Sequence, residues 1–190
     1  PMAQQAIEKS VAEQLPRLSE SEELQVAAVM ADHQQASLTA LVGDRDRQQL
    51  GFNRATGAMR QVGSLIKPSI YGLALAQPGS YNLASIVEDA PITLEEVDGR
   101  IWQPQNFDGD YVGDIMLYDA LAQSRNIPAV KLALEVGIDN IVNKLRQGGI
   151  STPIPSVPSL ALGSVELSPL QLAELYGVWA HYGRYRPYTT

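Results

Sequence analysis

The hydrophobic pattern of this chain changes period along its length, and that change limits the folds open to it. Leu38, Ala40 and Val42 alternate with polar neighbours, the two-residue repeat of a half-buried strand. Residues 64 to 77, and several segments after 114, carry apolar residues every three to four positions, the repeat of helices with one buried face. Twelve prolines and fifteen glycines divide these segments, so short elements joined by turns are expected.

Residues 3 to 15 read as an amphipathic helix ended by Pro16, through Ala6, Ile7, Val11 and Leu15. The polar stretch from Ser19 to Glu23 then leads into a strand over Leu24 to Ala31, a turn, and the strand through Val42. The helix over 64 to 77 is closed by Pro78-Gly79, and Asp98-Gly99 predicts a hairpin between 92–97 and 100–102. Helices are expected over 114–123, from Pro128 to the stop at Gly137, and over 139–147. Pro153, Pro155 and Pro158 mark a stiff loop. Ser168-Pro169-Leu170-Gln171 joins an N-cap, a proline at the first helical position and a glutamine three residues after the cap, so a helix starts there.

Composition excludes several functions. The net charge of −7 disfavours nucleic acid and anionic membrane surfaces as partners. Without cysteine, and with only His33 and His181, the chain has no disulfide, thiol catalysis or common Cys/His zinc site; no metal or other cofactor is expected. No apolar run approaches the ~18 residues that span a bilayer, so no membrane contact is expected from this segment. Its start at Pro1-Met2-Ala3-Gln4 lacks the basic and apolar regions of a signal peptide, which suggests a segment of a longer protein.

The candidate chemistry lies in Ser64-Leu65-Ile66-Lys67. A hydroxyl and an amine three residues apart lie one helical turn apart on one face. A serine hydroxyl attacks a carbonyl only when a base takes its proton, and a lysine is that base only when neutral. Burial and the positive end of a helix both favour the neutral amine, and free N–H groups there can hold an oxyanion. With fourteen serines and four lysines, about 0.3 chance matches to Ser-x-x-Lys arise in 190 positions, so the motif alone decides little. Ser124-Arg125-Asn126, in a connection between helices, presents a second set of side chains. The similar Ser80-Tyr81-Asn82 follows Pro78-Gly79 and reads as a plain turn. His33 and His181 suit a turn and a helix end, and the adjacent pairs Glu22-Glu23 and Glu95-Glu96 do not share one face as an acid–base dyad would.

Four blocks in order carry a resemblance: Gly63 to Pro68, Trp102 to Asn106, Ser124 to Pro128, and Ala161 to Ser164 with Leu167 to Leu170. Together they resemble the transpeptidase domain of class A bifunctional penicillin-binding proteins, whose Ser-x-x-Lys motif holds the nucleophile. The resemblance implies an α+β fold, an antiparallel sheet covered by helices as in the serine β-lactamases, with residues 1–23 as a flanking helix and linker and 24–190 as the domain. It implies Ser64 as nucleophile, Lys67 as base, Ser124 as proton relay and Asn126 as a ligand of Lys67 and of the substrate amide. Arg125 fills the variable position, and Trp102 and Asn106 are expected on a substrate-binding wall. The reaction implied is D,D-transpeptidation of peptidoglycan stem peptides ending in D-Ala-D-Ala, through an acyl-enzyme that β-lactams also form. The parent is then expected at the periplasmic face, anchored in the inner membrane.

One departure stands out. The family's third motif, Lys-Thr-Gly or Lys-Ser-Gly, is not in this chain: its lysines precede Ser10, Pro68, Leu132 and Leu145. The expectation is an incomplete domain, with a complementary C-terminal segment as partner. Loss of one oxyanion donor lowers rates by about 10²- to 10³-fold, so this segment alone is expected to be nearly inactive. The alternatives from sequence are a D,D-carboxypeptidase or β-lactamase type of hydrolase, and a non-catalytic penicillin-binding sensor or scaffold.

Overall fold

The computed structural model describes residues 2–18, 23–46, 51–77, 79–95 and 99–189. In chain order the elements are α1 (Met2–Leu18), β1 (Ala28–Asp32), β2 (Ser37–Val42), α2 (Arg54–Gly57), β3 (Arg60–Gln61), a 3-10 turn (Gly63–Ile66), α3 (Lys67–Leu75), β4 (Ile86–Asp89), β5 (Leu94–Glu95), β6 (Ile101–Trp102) and β7 (Gly113–Met116). They continue with α4 (Leu117–Ala122), α5 (Asn126–Val136), α6 (Ile138–Gln147), a second 3-10 turn (Pro158–Leu162), β8 (Glu166–Leu167) and α7 (Pro169–Ala180). The fold class is α+β, as expected, with the sheet in short two-stranded pieces. Two compact units form: Pro1–Arg60 with Leu145–Thr152 and Glu166–Thr190, and Gln61–Lys144 with Pro153–Val165.

In the first unit β1 and β2 pair antiparallel with Ala28 opposite Val42, and a bulge falls between Met30 and Ala31. Residues 24–27, expected to belong to the first strand, precede it as irregular chain. On β2, Ala40 and Val42 turn inward, as their alternation requires. Gln4 of α1 fastens that helix to β2 by donating to the Leu41 carbonyl (2.9 Å) and accepting its N–H (2.8 Å). Pro16 does not end α1, contrary to expectation: in the last turn its missing N–H forfeits one hydrogen bond, and Arg17 and Leu18 still follow the helix. At the head of α7, Ser168 Oγ accepts the Gln171 N–H while Gln171 Oε1 accepts the Ser168 N–H, the expected reciprocal cap.

The second unit packs α3, α4 and α5 around one core. Ile66, Ile70 and Ala74 meet Leu117, Ala120, Ile127, Val130 and Ala133 there, all fully buried. Three expectations are corrected. Residues 64–66 form a 3-10 turn, with the α-helix starting at Lys67 and ending at Leu75. Residues 114–116 lie in β7, not in a helix, because they pair antiparallel with β4: Val87 stands opposite Ile115, and only Ile115 of the three is buried. And α5 begins at Asn126, two residues before Pro128, while ending at Gly137 (φ 94°) as its glycine foretells. The hairpin of β5 and β6 sets Leu94 opposite Trp102; Glu96, Val97 and Asp98 of its turn, and Pro78, lie outside the described residues.

Candidate active site

The site is built on the 3-10 turn. Lys67 donates its backbone N–H to the Ser64 carbonyl, which closes a turn of three residues. That pitch sets Ser64 and Lys67 one full turn apart. Ser64 is exposed, and its N–H finds no backbone acceptor among the described residues. The turn is held from behind. Gly63 (φ 56°) donates to the Gly163 carbonyl at 3.2 Å, and Val62 to that of Val165 at 3.1 Å. A Cβ on Gly163 (φ 78°) would run into the backbone of Gly63, so this approach requires glycine in both space and conformation.

Lys67 points into the unit and is 1% exposed. Its Nζ lies 2.6 Å from the Ser124 carbonyl, 3.1 Å from Ser124 Oγ and 2.7 Å from Asn126 Oδ1. None of these partners carries a charge, so nothing offsets the loss of water around the ammonium; burial lowers its pKa from 10.5 to about 8. About a tenth of the amine is then neutral near pH 7, compared with well under a thousandth for an ordinary lysine.

Ser124 and Asn126 reach Lys67 because the connection between α4 and α5 is locked. Ser124 takes the left-handed conformation (φ 54°), unfavourable for a residue with a side chain. Along the next two residues the side chains alternate: Ser124 is exposed and Arg125 buried. Arg125 donates through Nε to Asp89 Oδ2 (2.8 Å), through Nη1 to Asp108 Oδ2 (2.6 Å) and through Nη2 to the Asp110 carbonyl (2.5 Å). Burial by itself would favour loss of its proton, but the bonds to Asp89 and Asp108 outweigh it and raise the pKa. Asn126 donates from Nδ2 to the Gln105 carbonyl (2.8 Å), which turns its Oδ1 toward Lys67.

The turn that bears the exposed Ser64, a buried neutral-prone amine and a Ser-x-Asn loop therefore belong to one unit, in the order the sequence blocks imply. The family description "Penicillin binding protein transpeptidase domain" matches residues 26–189. The chain belongs to that family. It is 40% identical over 190 residues to penicillin-binding protein 1B of Vibrio cholerae serotype O1, covering 98% of this chain and 24% of that protein. Against penicillin-binding protein 1B of Haemophilus influenzae it is 37% identical over 182 residues, covering 95% and 23%. A crystal structure of penicillin-binding protein 1A from Haemophilus influenzae superposes with a TM-score of 0.77 at 35% identity, covering 82% of this chain and 23% of that one. The chain thus spans about a quarter of the length of these relatives.

In this transpeptidase domain the other expected residues fall differently. Asn106 is 4% exposed, and both ends of its amide are engaged by the protein. Nδ2 donates to Asp89 Oδ1 (2.7 Å) and the Asp110 carbonyl (2.9 Å), while Oδ1 accepts the N–H groups of Asn126 (2.8 Å) and Ile127 (3.2 Å). It caps the start of α5 from outside the helix. Trp102 is half-buried on β6 and is not in the hydrogen-bonded network around Lys67. His33 and His181 meet in the first unit, where the His181 ring bonds the His33 carbonyl and Tyr188 Oη bonds His33 Nδ1 at 2.8 Å. Ser80 lies in the turn that ends α3, its N–H on the Gln77 carbonyl. Of the adjacent carboxylate pairs, Glu22 and Glu96 lie outside the described residues.

The sequence gives no warning of Asp89 or of the role of Arg125. Asp89 is fully buried, yet nothing local to Ile86–Asp89 marks it, since its partners lie 17 and 36 residues away. Among the described residues no helix is long and apolar enough to cross a membrane, and no cluster of metal-ligating side chains forms.

Proposed function

We propose that this domain carries the acyl-enzyme chemistry of a peptidoglycan D,D-transpeptidase, with Ser64 as nucleophile and Lys67 as base. The observation that carries the proposal is the buried Lys67 Nζ, surrounded by three neutral oxygens and one 3-10 turn from the exposed Ser64. Neutral Lys67 takes the Ser64 hydroxyl proton as Oγ bonds to the carbonyl carbon of the penultimate D-Ala. The oxyanion that forms is met by the Ser64 N–H, which has no backbone acceptor among the described residues. As the C–N bond breaks, the proton passes from Lys67 through Ser124 Oγ, 3.1 Å away, to the departing amine of D-Ala. An amine of a second stem peptide then attacks the ester, restores the Ser64 hydroxyl and leaves a cross-link. Asn126, through its side-chain amide, orients Lys67 and offers itself to the substrate amide, while Trp102 is offered as a wall for the incoming peptide.

The relatives are named for binding penicillin, and a strained β-lactam carbonyl presents Ser64 with the same electrophile but no leaving amine that diffuses away. We place residues 24–190 in this domain and the whole protein at the extracytoplasmic face of the inner membrane, where its substrate lies, with a C-terminal segment supplying the second oxyanion donor. The test is transpeptidation by the whole native protein on a stem peptide ending in D-Ala-D-Ala with an added acceptor amine. Release of D-Ala and a cross-linked product, both lost in Ser64→Ala, is the expected result; release and cross-linking retained in Ser64→Ala would refute it.

A further inference from the structure

Among the described residues of the second unit Asp89 is the one carboxylate that is fully buried, and the chemistry just described leaves it no step. Three donors converge on it: Asn106 Nδ2 on Oδ1 at 2.7 Å, and Arg125 Nε (2.8 Å) and the Val112 N–H (3.3 Å) on Oδ2, with Arg125 Nη2 completing the ion pair 2.8 Å from Oδ2. Each of its two side-chain partners belongs to, or caps, the segment that carries Ser124 and Asn126. Arg125 sits between those two residues in the chain. Asn106 holds the Asn126 N–H at 2.8 Å. Bonds thus run without a break from the Asp89 carboxylate through Asn106 and Asn126 to Lys67 Nζ. On the other branch, Arg125 draws the backbone inward between two residues that must point outward, against the cost of a left-handed Ser124.

We infer that Asp89 is the positioning residue for the Ser124–Asn126 loop, acting through Arg125 and Asn106 to set the reach of Ser124 Oγ and Asn126 Oδ1 to Lys67. Arg125, at the variable position of the motif, is the internal counter-ion of Asp89 and not a spacer. This rests on the reading of Ser64 as the acylated residue. Arg125 has a second carboxylate partner, Asp108, but that residue is exposed and held by the Asp110 N–H as well, so the buried end of the guanidinium depends on Asp89.

The experiment is burst acylation of the whole native protein by a fluorescent penicillin, with the pre-acylation dissociation constant and the acylation rate constant resolved separately. Wild type is compared with Asp89→Asn, Arg125→Met and the double variant. Both single variants are expected to lose about 10²-fold in acylation rate, the cost of displacing catalytic groups by about an ångström, with the dissociation constant changed by less than about threefold. Because the two residues act as a unit, the double variant should be no slower than the slower single one. Wild-type acylation rates in folded Asp89→Asn would overturn the inference, as would singles whose losses multiply in the double. Should Asp89→Asn not fold, the double variant, which buries no unpaired charge, decides alone: slow acylation supports positioning, while a wild-type rate or failure to fold reduces the pair to a fold determinant and overturns it. Failure of the underlying reading is separate, since wild-type protein would then carry no label on Ser64.

Discussion

Lys67 Nζ lies 3.1 Å from Ser124 Oγ and 2.6 Å from the Ser124 carbonyl oxygen, across 57 positions of sequence. Both contacts are to neutral oxygen, so the lysine is solvated by the protein without being charged by it. Ion pairing would have raised its pKa; burial without a carboxylate lowers it.

The rate of acylation should therefore follow the neutral fraction of Lys67. It is expected to rise about tenfold per pH unit below pH 8 and to level off above, since the group reacts only without its proton. Lys67→Met should lose about 10²- to 10⁴-fold and the pH dependence with it. Stopped-flow acylation from pH 6 to 10 measures both, and a flat wild-type profile would contradict the assignment of the base.

The same shift has a sign for stability. The unfolded chain keeps a proton on Lys67 up to its ordinary value of 10.5, whereas the folded chain releases it near 8. In that window the unfolded state binds more protons, so the contribution of Lys67 to stability rises as pH rises from about 8 to 10.5. Denaturant midpoints at pH 7.5 and 10 should show this rise in wild type beyond that in Lys67→Met; equal slopes would count against it.

Gly163→Ala is expected to damage the nucleophile without touching it. The new Cβ meets the Gly63 backbone at a φ of 78°, so either the 3-10 turn moves or strain is stored. A loss of about 1–3 kcal/mol in stability should accompany slower acylation. Thermal melts and penicillin labelling check it; an unchanged acylation rate would mean that this contact does not position Ser64.

Asn106→Ala separates a buried cap from a substrate contact. Removing the side chain leaves the N–H groups of Asn126 and Ile127 and one Asp89 oxygen without their partner, so a loss of about 2–4 kcal/mol is expected from unsatisfied buried groups. A variant of wild-type stability that binds penicillin more weakly would instead return Asn106 to the substrate wall.

Ser168→Ala is the control. It removes the Oγ that accepts the Gln171 N–H in the cap of α7, in the first unit, and keeps the backbone N–H that donates to Gln171 Oε1; it should cost about 1 kcal/mol while leaving acylation per folded molecule unchanged. Equal melting temperatures would contradict the cap.

What the sequence made legible was local. The cap at Ser168, the stop at Gly137 and the turn between β1 and β2 each depend on a few neighbouring residues, and each is found where its signal lies. Ser64, Lys67, Ser124 and Asn126 were nameable because their motifs are short and ordered along the chain. Long-range pairing was not legible. Ile115, Leu117 and Tyr118 suit helix spacing, and only the edge of β4, some 28 residues earlier, makes 113–116 a strand. Asp89 carried no signal at all, and Arg125 read only as filling the variable position, because a buried ion pair across 36 residues leaves no spacing to recognise.

The most direct measurement is mass spectrometry of the peptide labelled when the whole native protein reacts with a fluorescent penicillin. The expected result is a single adduct on Ser64, absent in Ser64→Ala and slowed severely in Lys67→Met. An adduct on another residue, or full labelling of Ser64→Ala, would contradict the claim that Ser64 is the nucleophile and Lys67 its base.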